Sequence, residues 1–197
     1  MARSYEANLE TSDELAAVNE MLSAIGESPV NTIEGDSNAD VANCRRILNA
    51  VNTEVQSMGW TFNIEEDAIL TPDVFSKLII WLPDYLSVKA PSGTTVYVNR
   101  GGYLYDRNAK TDEFTQPVTV SLIRLKGFEE MPTQFRTYII AKAARRFNIR
   151  FFGAAEIEAS LQLEEQDAWA RVQEFELEYG AFNMLDGDAW VAGRLTR

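Results

Sequence analysis

Histidine is absent from the 197 residues, and cysteine occurs once, as Cys44. The first absence removes the usual general base at neutral pH and the commonest metal ligand, so Ser-His-Asp, Cys-His and histidine-zinc chemistry are excluded. What is left to an enzyme is carboxylate, lysine or tyrosine chemistry, or a magnesium or calcium site built from oxygens. A lone cysteine excludes an internal disulfide and a thiolate metal cluster within one chain, and it suits a reducing compartment. Long apolar runs are lacking too: the longest, Leu78 to Leu82, falls far short of the roughly 20 residues that span a bilayer. The opening residues, Met1-Ala2-Arg3-Ser4-Tyr5-Glu6, carry no secretion-signal pattern, so neither export nor a membrane span is expected. Neither G-x-x-x-x-G-K-[ST] nor G-x-G-x-x-G occurs, which leaves nucleotide binding without support.

Acid is what the chain has in excess. Thirty Asp and Glu against 18 Lys and Arg give a formal charge of −12, which repels DNA and anionic membranes as a whole. DNA is then not gripped, although a wall that DNA must slide past would also be acidic. A hydrophobic fraction of 46% can fill a sizeable core, as one domain with an insertion or as two small ones.

Helical signals come first. Thr11-Ser12-Asp13-Glu14 fits a capping box, Leu15, Val18, Leu22 and Ile25 follow at spacings of three and four, and Gly26 and Pro29 supply a stop. Asp36 or Ser37 can cap a second helix in which Val41, Cys44, Leu48, Val51, Val55 and Met58 form an a/d seam ending at Gly59. Cys44 on that seam reads as a small core residue and not as a nucleophile, which needs an electropositive and partly exposed setting.

From Trp60 the period changes to two: Trp60, Phe62 and Ile64 alternate with Thr61 and Asn63 as in a half-buried strand. Strand character persists to about residue 126. Pro83 favours an edge or a break within Ile79 to Val88, and Asn99-Arg100-Gly101-Gly102 reads as a hairpin turn between Thr95–Val98 and Tyr103–Tyr105. Val118 to Leu125 is rich in β-branched residues, and Ser87 to Thr95, with Pro91-Ser92-Gly93, reads as a loop. The expected fold class is therefore α+β, a helical core with a small antiparallel sheet inserted between its helices.

Pro132 can open a long helix to about Phe152, closed by Gly153, and a last helix runs from about Ala155 to Tyr179, closed by Gly180. Together they make a hairpin, with Ile157, Leu161, Ala168, Val172, Phe175 and Tyr179 lining one face of the second helix. The expected organisation is 1–59, an N-terminal helical part; 60–127, an inserted β-region; 128–180, a helical hairpin; and 181–197, a tail without a clear period.

Charge is partitioned sharply across that hairpin. Residues 133 to 153 hold Arg136, Lys142, Arg145, Arg146 and Arg150 and no acid, whereas residues 154 to 179 hold eight acids and Arg171. The five cations are candidate interface residues, paired with acids either within the hairpin or on the next subunit. Two solvated faces are the plain alternative. A helix reading DNA is the third, weakened by the lack of an aromatic stacking platform or groove-reading motif.

Other motifs are thin. Asp186-Gly187-Asp188 is a fragment of a calcium loop without its downstream ligands and reads as a turn. Glu65, Glu66 and Asp67, near Trp60 and ahead of Trp81, are the place for a glycosidase-type acid pair, the plain alternative being an acidic turn. A carboxylate glycoside or cell-wall hydrolase is the runner-up function, and a soluble nucleic-acid regulator is weakened by the −12 charge.

Several segments taken together are more specific. These are Ser4-Tyr5-Glu6, Asn38-Ala39-Asp40-Val41-Ala42-Asn43, Trp60-Thr61-Phe62-Asn63-Ile64-Glu65-Glu66, Leu70-Thr71-Pro72-Asp73, Asn99-Arg100-Gly101-Gly102-Tyr103-Leu104-Tyr105-Asp106, and Asn183-Met184-Leu185-Asp186-Gly187-Asp188-Ala189. In this order they make a chain that resembles, over essentially its full length, the tail tubular protein A family of short-tailed phages (podoviruses) related to the T-seven group. The resemblance implies a structural virion protein of the tail, assembled in the host cytoplasm. It implies a homo-oligomer of twelve copies in a ring, the head-to-tail adaptor. The portal protein would lie above it, the nozzle protein (tail tubular protein B) below it and the tail fibre nearby, with DNA passing through the lumen at genome ejection. It further implies that Arg100, Tyr103 and Tyr105 on the hairpin face the nozzle, and that the tail from Ala181 to Arg197 meets the portal or a neighbour. No cofactor, no metal and no catalytic residue is expected.

Overall fold

The computed structural model describes residues 11–33, 39–91 and 95–179. Four helices carry the larger layer: α1 (Thr11–Ala24), α2 (Ala39–Gln56), α3 (Thr133–Phe147) and α4 (Ala155–Tyr179). Five strands lie between α2 and α3: β1 (Ile64–Leu70), β2 (Tyr85–Lys89), β3 (Tyr97–Arg100), β4 (Tyr103–Asp106) and β5 (Val118–Arg124). The fold class is α+β.

The seam of α2 forms as its spacing requires, with Val41, Cys44, Leu48, Val51 and Val55 all buried, and it widens to take in Ile47. Met58 departs from the expectation: α2 ends at Gln56, and Met58 is 54% exposed beyond it. Gly59 makes that exit possible, because its φ of 80 lies in the left-handed region that side-chain-bearing residues rarely adopt. On α1, Val18 and Leu22 are buried as expected and are joined by Ala17 and Met21. Glu14, the acid of the expected capping box, reaches α2. Its side chain is buried and binds Arg45 of α2, Nε to Oε1, at 2.7 Å. The proposed caps Asp36 and Ser37 lie outside the described residues.

Helix α3 is the centre of this layer, touching α1, α2 and α4. Phe135, Ile139, Ala143 and Phe147 are buried along it, and Phe135 meets the rings of Trp60 (5.0 Å), Phe62 (4.7 Å) and Phe175 (6.0 Å). Burying a ring of this kind contributes about 1.5–3 kcal/mol. Pro132 stands just before α3 as its N-cap. The helix does not run on regularly to Phe152. It widens into a π-helical turn at Asn148–Phe152, ended by Gly153 (φ 63). The buried Asn148 explains the widening: its amide accepts from Ala154 N at 3.2 Å and donates to Ala154 O at 3.2 Å, stapling the start of α4. Along α4, Leu161, Ala168 and Val172 are buried and Ile157 and Phe175 pack against the core, whereas Tyr179 is 64% exposed.

Trp60 to Asn63 form a turn, not the start of a strand. Trp60 and Phe62 do share a side, as alternation demands, but that side is the helical core, where both meet Phe135. The strands make two sheets instead of one: a three-stranded antiparallel sheet in the order β1-β5-β2 and the hairpin β3-β4. In the hairpin Asn99 pairs with Leu104 and Arg100 with Tyr103, around Gly101 (φ 62) and Gly102 (φ 87). Two central residues at positive φ suit a type I′ turn, whose twist matches the flanking strands. Asn99 Oδ1 accepts from Gly102 N at 2.9 Å and tightens it. Pro83 marks a break, with β2 beginning only at Tyr85. Residues 92–94, in the expected loop, are outside the described set.

A buried polar junction joins the two layers. Gln56, wholly buried, donates to Asn52 Oδ1 (2.8 Å) and Lys126 O (3.0 Å) and accepts from Lys126 N (2.8 Å). Asn63, also wholly buried, donates to Gln56 O (2.9 Å) and Arg124 O (3.0 Å) and accepts from Trp60 N (2.8 Å). The chain thus leaves the helices at 60–63 and returns at 124–126 through one set of hydrogen bonds.

Candidate assembly surfaces

Helical spacing sorts the cations of α3. Lys142 and Arg146 are four apart and share the face toward α2; Arg145 points toward α4. Glu54 of α2 accepts from Lys142 Nζ at 3.0 Å and Arg146 Nη1 at 2.8 Å. The Arg146 hydrogen bond, helped by Lys142, holds the Glu54 carboxyl down at about 2. Arg145 forks across the hairpin, Nε to Glu158 at 2.7 Å and Nη1 to Glu165 at 2.9 Å, and the Glu158 carboxyl is lowered chiefly by Arg145. Lys142, Arg145 and Arg146, of the five candidate interface cations, therefore bind acids of their own chain. Arg136 hydrogen-bonds Thr133 Oγ1 at 3.3 Å, and Arg150 is exposed on the π turn. The sequence pointed to acids within the hairpin or on the next subunit; the part taken by Glu54 on α2 had no signal in the linear pattern.

The acidic candidates do not converge. Glu65 binds Lys126 (3.0 Å) and Arg124 (3.2 Å) across the sheet, while Glu66 and Asp67 are exposed at a bulge where Asp67 has φ 55. Trp60 points into the helical core, and the Trp81 indole donates to Tyr85 O at 2.9 Å. On the hairpin, the Arg100 guanidinium lies 4.5 Å over the Tyr105 ring and Tyr103 is 38% exposed. Cys44 is buried, and burial, then the Asp40 charge, pushes its thiol up to about 12, as befits a core residue. Among the described residues no group of three or more His, Cys, Asp or Glu is placed to hold a metal ion, and no helix is long and apolar enough to cross a membrane. Asp186-Gly187-Asp188 and the tail from Ala181 lie outside the described residues.

Sequence reasoning missed the loop between β1 and β2. Asp73 Oδ1 accepts from Phe75 N (3.0 Å), Ser76 N (2.8 Å) and Ser76 Oγ (3.0 Å), and these hydrogen bonds lower its carboxyl pKa. Backbone bonds from Asp73 N to Leu78 O and from Phe114 N to Lys77 O, at 2.9 and 2.8 Å, brace the loop. The result is a fixed turn that holds Val74 85% and Phe75 95% exposed. The Leu70-Thr71-Pro72-Asp73 segment was the available signal, read only as part of a resemblance.

Cations neutralised within the fold and apolar groups held outward on an ordered turn describe a structural subunit built for packing. The chain belongs to the tail tubular protein family, which its sequence matches over residues 15–182, and it is thereby a structural component of a phage tail. A curated relative, tail tubular protein A of Enterobacteria phage T3, is 62% identical over 29 residues, a stretch covering 15% of this chain and 97% of that sequence.

Proposed function

We propose that this protein is the subunit of a head-to-tail adaptor ring that joins the portal to the tail nozzle and lets DNA pass. The outward acidity of the helical hairpin supports this reading most directly. Arg145 is held by Glu158 and Glu165, Lys142 and Arg146 by Glu54, and Glu176 accepts from Thr61, which leaves Glu156, Glu164, Asp167, Glu174 and Glu178 exposed on α4 with Arg171 as that helix's one cation. Such a surface repels phosphate and suits passage without grip.

In this reading twelve copies close by rotation, each using two different faces. Residues 1–59 and 128–180 are the adaptor core, 60–127 the insertion whose hairpin residues Arg100, Tyr103 and Tyr105 face the nozzle protein, and 181–197 the segment that meets the portal or a neighbour. Arg150 can reach a neighbouring copy. Lys142, Arg145 and Arg146 act on assembly by holding α2, α3 and α4 in the shape the ring needs. The subunit works without catalysis or cofactor, assembles in the host cytoplasm and resides in the virion tail near the fibre.

The test is to mix the purified chain with portal rings from the same phage and image the product by negative stain. A second ring stacked coaxially on the portal is expected, and its symmetry gives the copy number. Portals left bare at micromolar protein would overturn the adaptor role and shift attention to a sugar-release assay with Glu65, Glu66 and Asp67 each changed to alanine.

A further inference from the structure

The β1–β2 loop displays two bulky apolar side chains side by side at 85% and 95% exposure, on a turn already fixed by Asp73. Single exposed apolar residues are ordinary on protein surfaces. Here an ordered scaffold holds Val74 and Phe75 out, which removes the ordering cost a flexible loop would meet on binding. Lys77, at φ 59 and exposed, places a cation on the flank of the same turn.

The helical layer carries a recess of matching chemistry. Between α1, α3 and α4 lies a groove of about 280 Å³, its apolar wall made by Ala24, Ile140, Ala141, Ala144 and Ala168. A cavity of about 150 Å³ is enough for a benzene ring, so this groove can take a phenyl group with room beside it. Its rim holds Glu20, Glu164 and Asp167 against one cation, Arg171. Burial and the charge of Glu164 raise the Glu20 carboxyl pKa, so that rim is short of positive charge. The knob belongs to the β-region and the groove to the helical layer, two different parts of one subunit. A projection on one surface that complements a pocket on another makes a head-to-tail contact, which closes into a ring when the rotation allows.

We propose that Val74 and Phe75 of one copy seat in the α1–α3–α4 groove of the next copy, with Lys77 against the Glu20–Glu164 rim. This contact rests on the ring reading above and names the two faces that reading requires. Buried aromatic anchors of this kind dominate interface energetics, and the charge pair fixes orientation.

The experiment uses the full chain assembled on portal rings, carrying Val74→Cys and Ala141→Cys together or singly, with Phe75 kept. Assemblies are treated with a short bifunctional thiol crosslinker and run on a denaturing gel; Cys44 is buried and serves as the silent background. The double variant is expected to give a ladder of covalent multimers and each single variant a monomer. Alongside, Phe75→Ser is expected to lower assembly on the portal by about tenfold or more, with Phe75→Leu close to the parent chain. Assembled rings whose double variant stays monomeric, or Phe75→Ser assembling like the parent, would overturn the contact and leave the adaptor role standing. A parent chain that leaves portals bare would overturn both.

Discussion

The helical layer and the β-region differ most in how many apolar residues they bury. Among the described residues, the helical core buries 22 hydrophobic side chains in one cluster, against 8 in the β cluster. The β-region leaves Ile69, Val74, Phe75 and Ile80 more than 60% exposed, as α4 leaves Leu163, Leu177 and Tyr179, but with a far smaller core behind them. A sheet of three strands needs a packed apolar face to stand alone. With a core this small, the β-region draws its stability from the Gln56–Asn63–Lys126 junction and from Trp60 and Phe62 set against Phe135. The difference teaches that stability and display are separated along this chain: the helices supply most of the core, and the insertion holds Val74 and Phe75 outward on an ordered turn.

That separation can be broken most severely at Phe135. Phe135→Ala should cost roughly 3–5 kcal/mol, because it opens a cavity among Trp60, Phe62 and Phe175, and urea unfolding should show helix and sheet lost together. A sheet signal that survives the helix signal would mean that the β-region stands without the helical core. The next largest effect belongs to the junction. Gln56→Leu strands the Lys126 amide and the Asn52 side chain in a buried setting, a loss of about 1–3 kcal/mol. Circular dichroism and hydrogen exchange should then report two transitions in place of one; a single coincident transition would show that the layers are coupled elsewhere.

Acid tests the α2–α3 clasp more gently. The folded Glu54 carboxyl titrates at about 2 against an ordinary value of 4.5. Its lowered pKa stabilises the fold fully above pH 4.5, and that contribution fades as pH falls toward 2. The Glu54 side chain is 42% exposed, so screening keeps the effect below about 1 kcal/mol. Glu54→Gln should flatten this part of the pH–stability curve measured by thermal melts, and an unchanged curve would remove Glu54 from the account. The smallest effect sharpens the comparison most. Phe75→Ser should move the unfolding midpoint by no more than about 0.5 kcal/mol, since Phe75 makes almost no contact in the subunit. A larger loss would place Phe75 in the fold and take it out of the interface.

Much of the architecture was legible because it is local. The 3-4 spacing of Val41, Cys44, Leu48, Val51 and Val55 requires one buried helical face whatever it packs against, and Gly101-Gly102 requires a tight hairpin. Ala155–Tyr179 forms over the span that its periodicity marks. Where reading failed, two structures share one pattern. Alternating Trp60 and Phe62 suit a strand or a turn whose core side faces a helix, and only Phe135, far along the chain, distinguishes them. Asn63 reads as the solvent side of a strand yet is wholly buried, because its partners sit at Gln56 and Arg124.

Of the candidate sites, the charge partition was visible in sequence and its consequence was not. The sequence by itself determined that α3 carries only cations, that α4 carries an excess of acid, and that histidine chemistry is excluded. It also determined the order of helices and strands, because periodicity, caps and turn residues act over a few neighbours. Tertiary structure alone decided that Glu54 of α2 takes Lys142 and Arg146, that Glu14 takes Arg45, and that Phe75 stands in solvent. Ion pairs, buried hydrogen bonds and exposure depend on distances in space between residues remote along the chain, and no linear spacing encodes those distances.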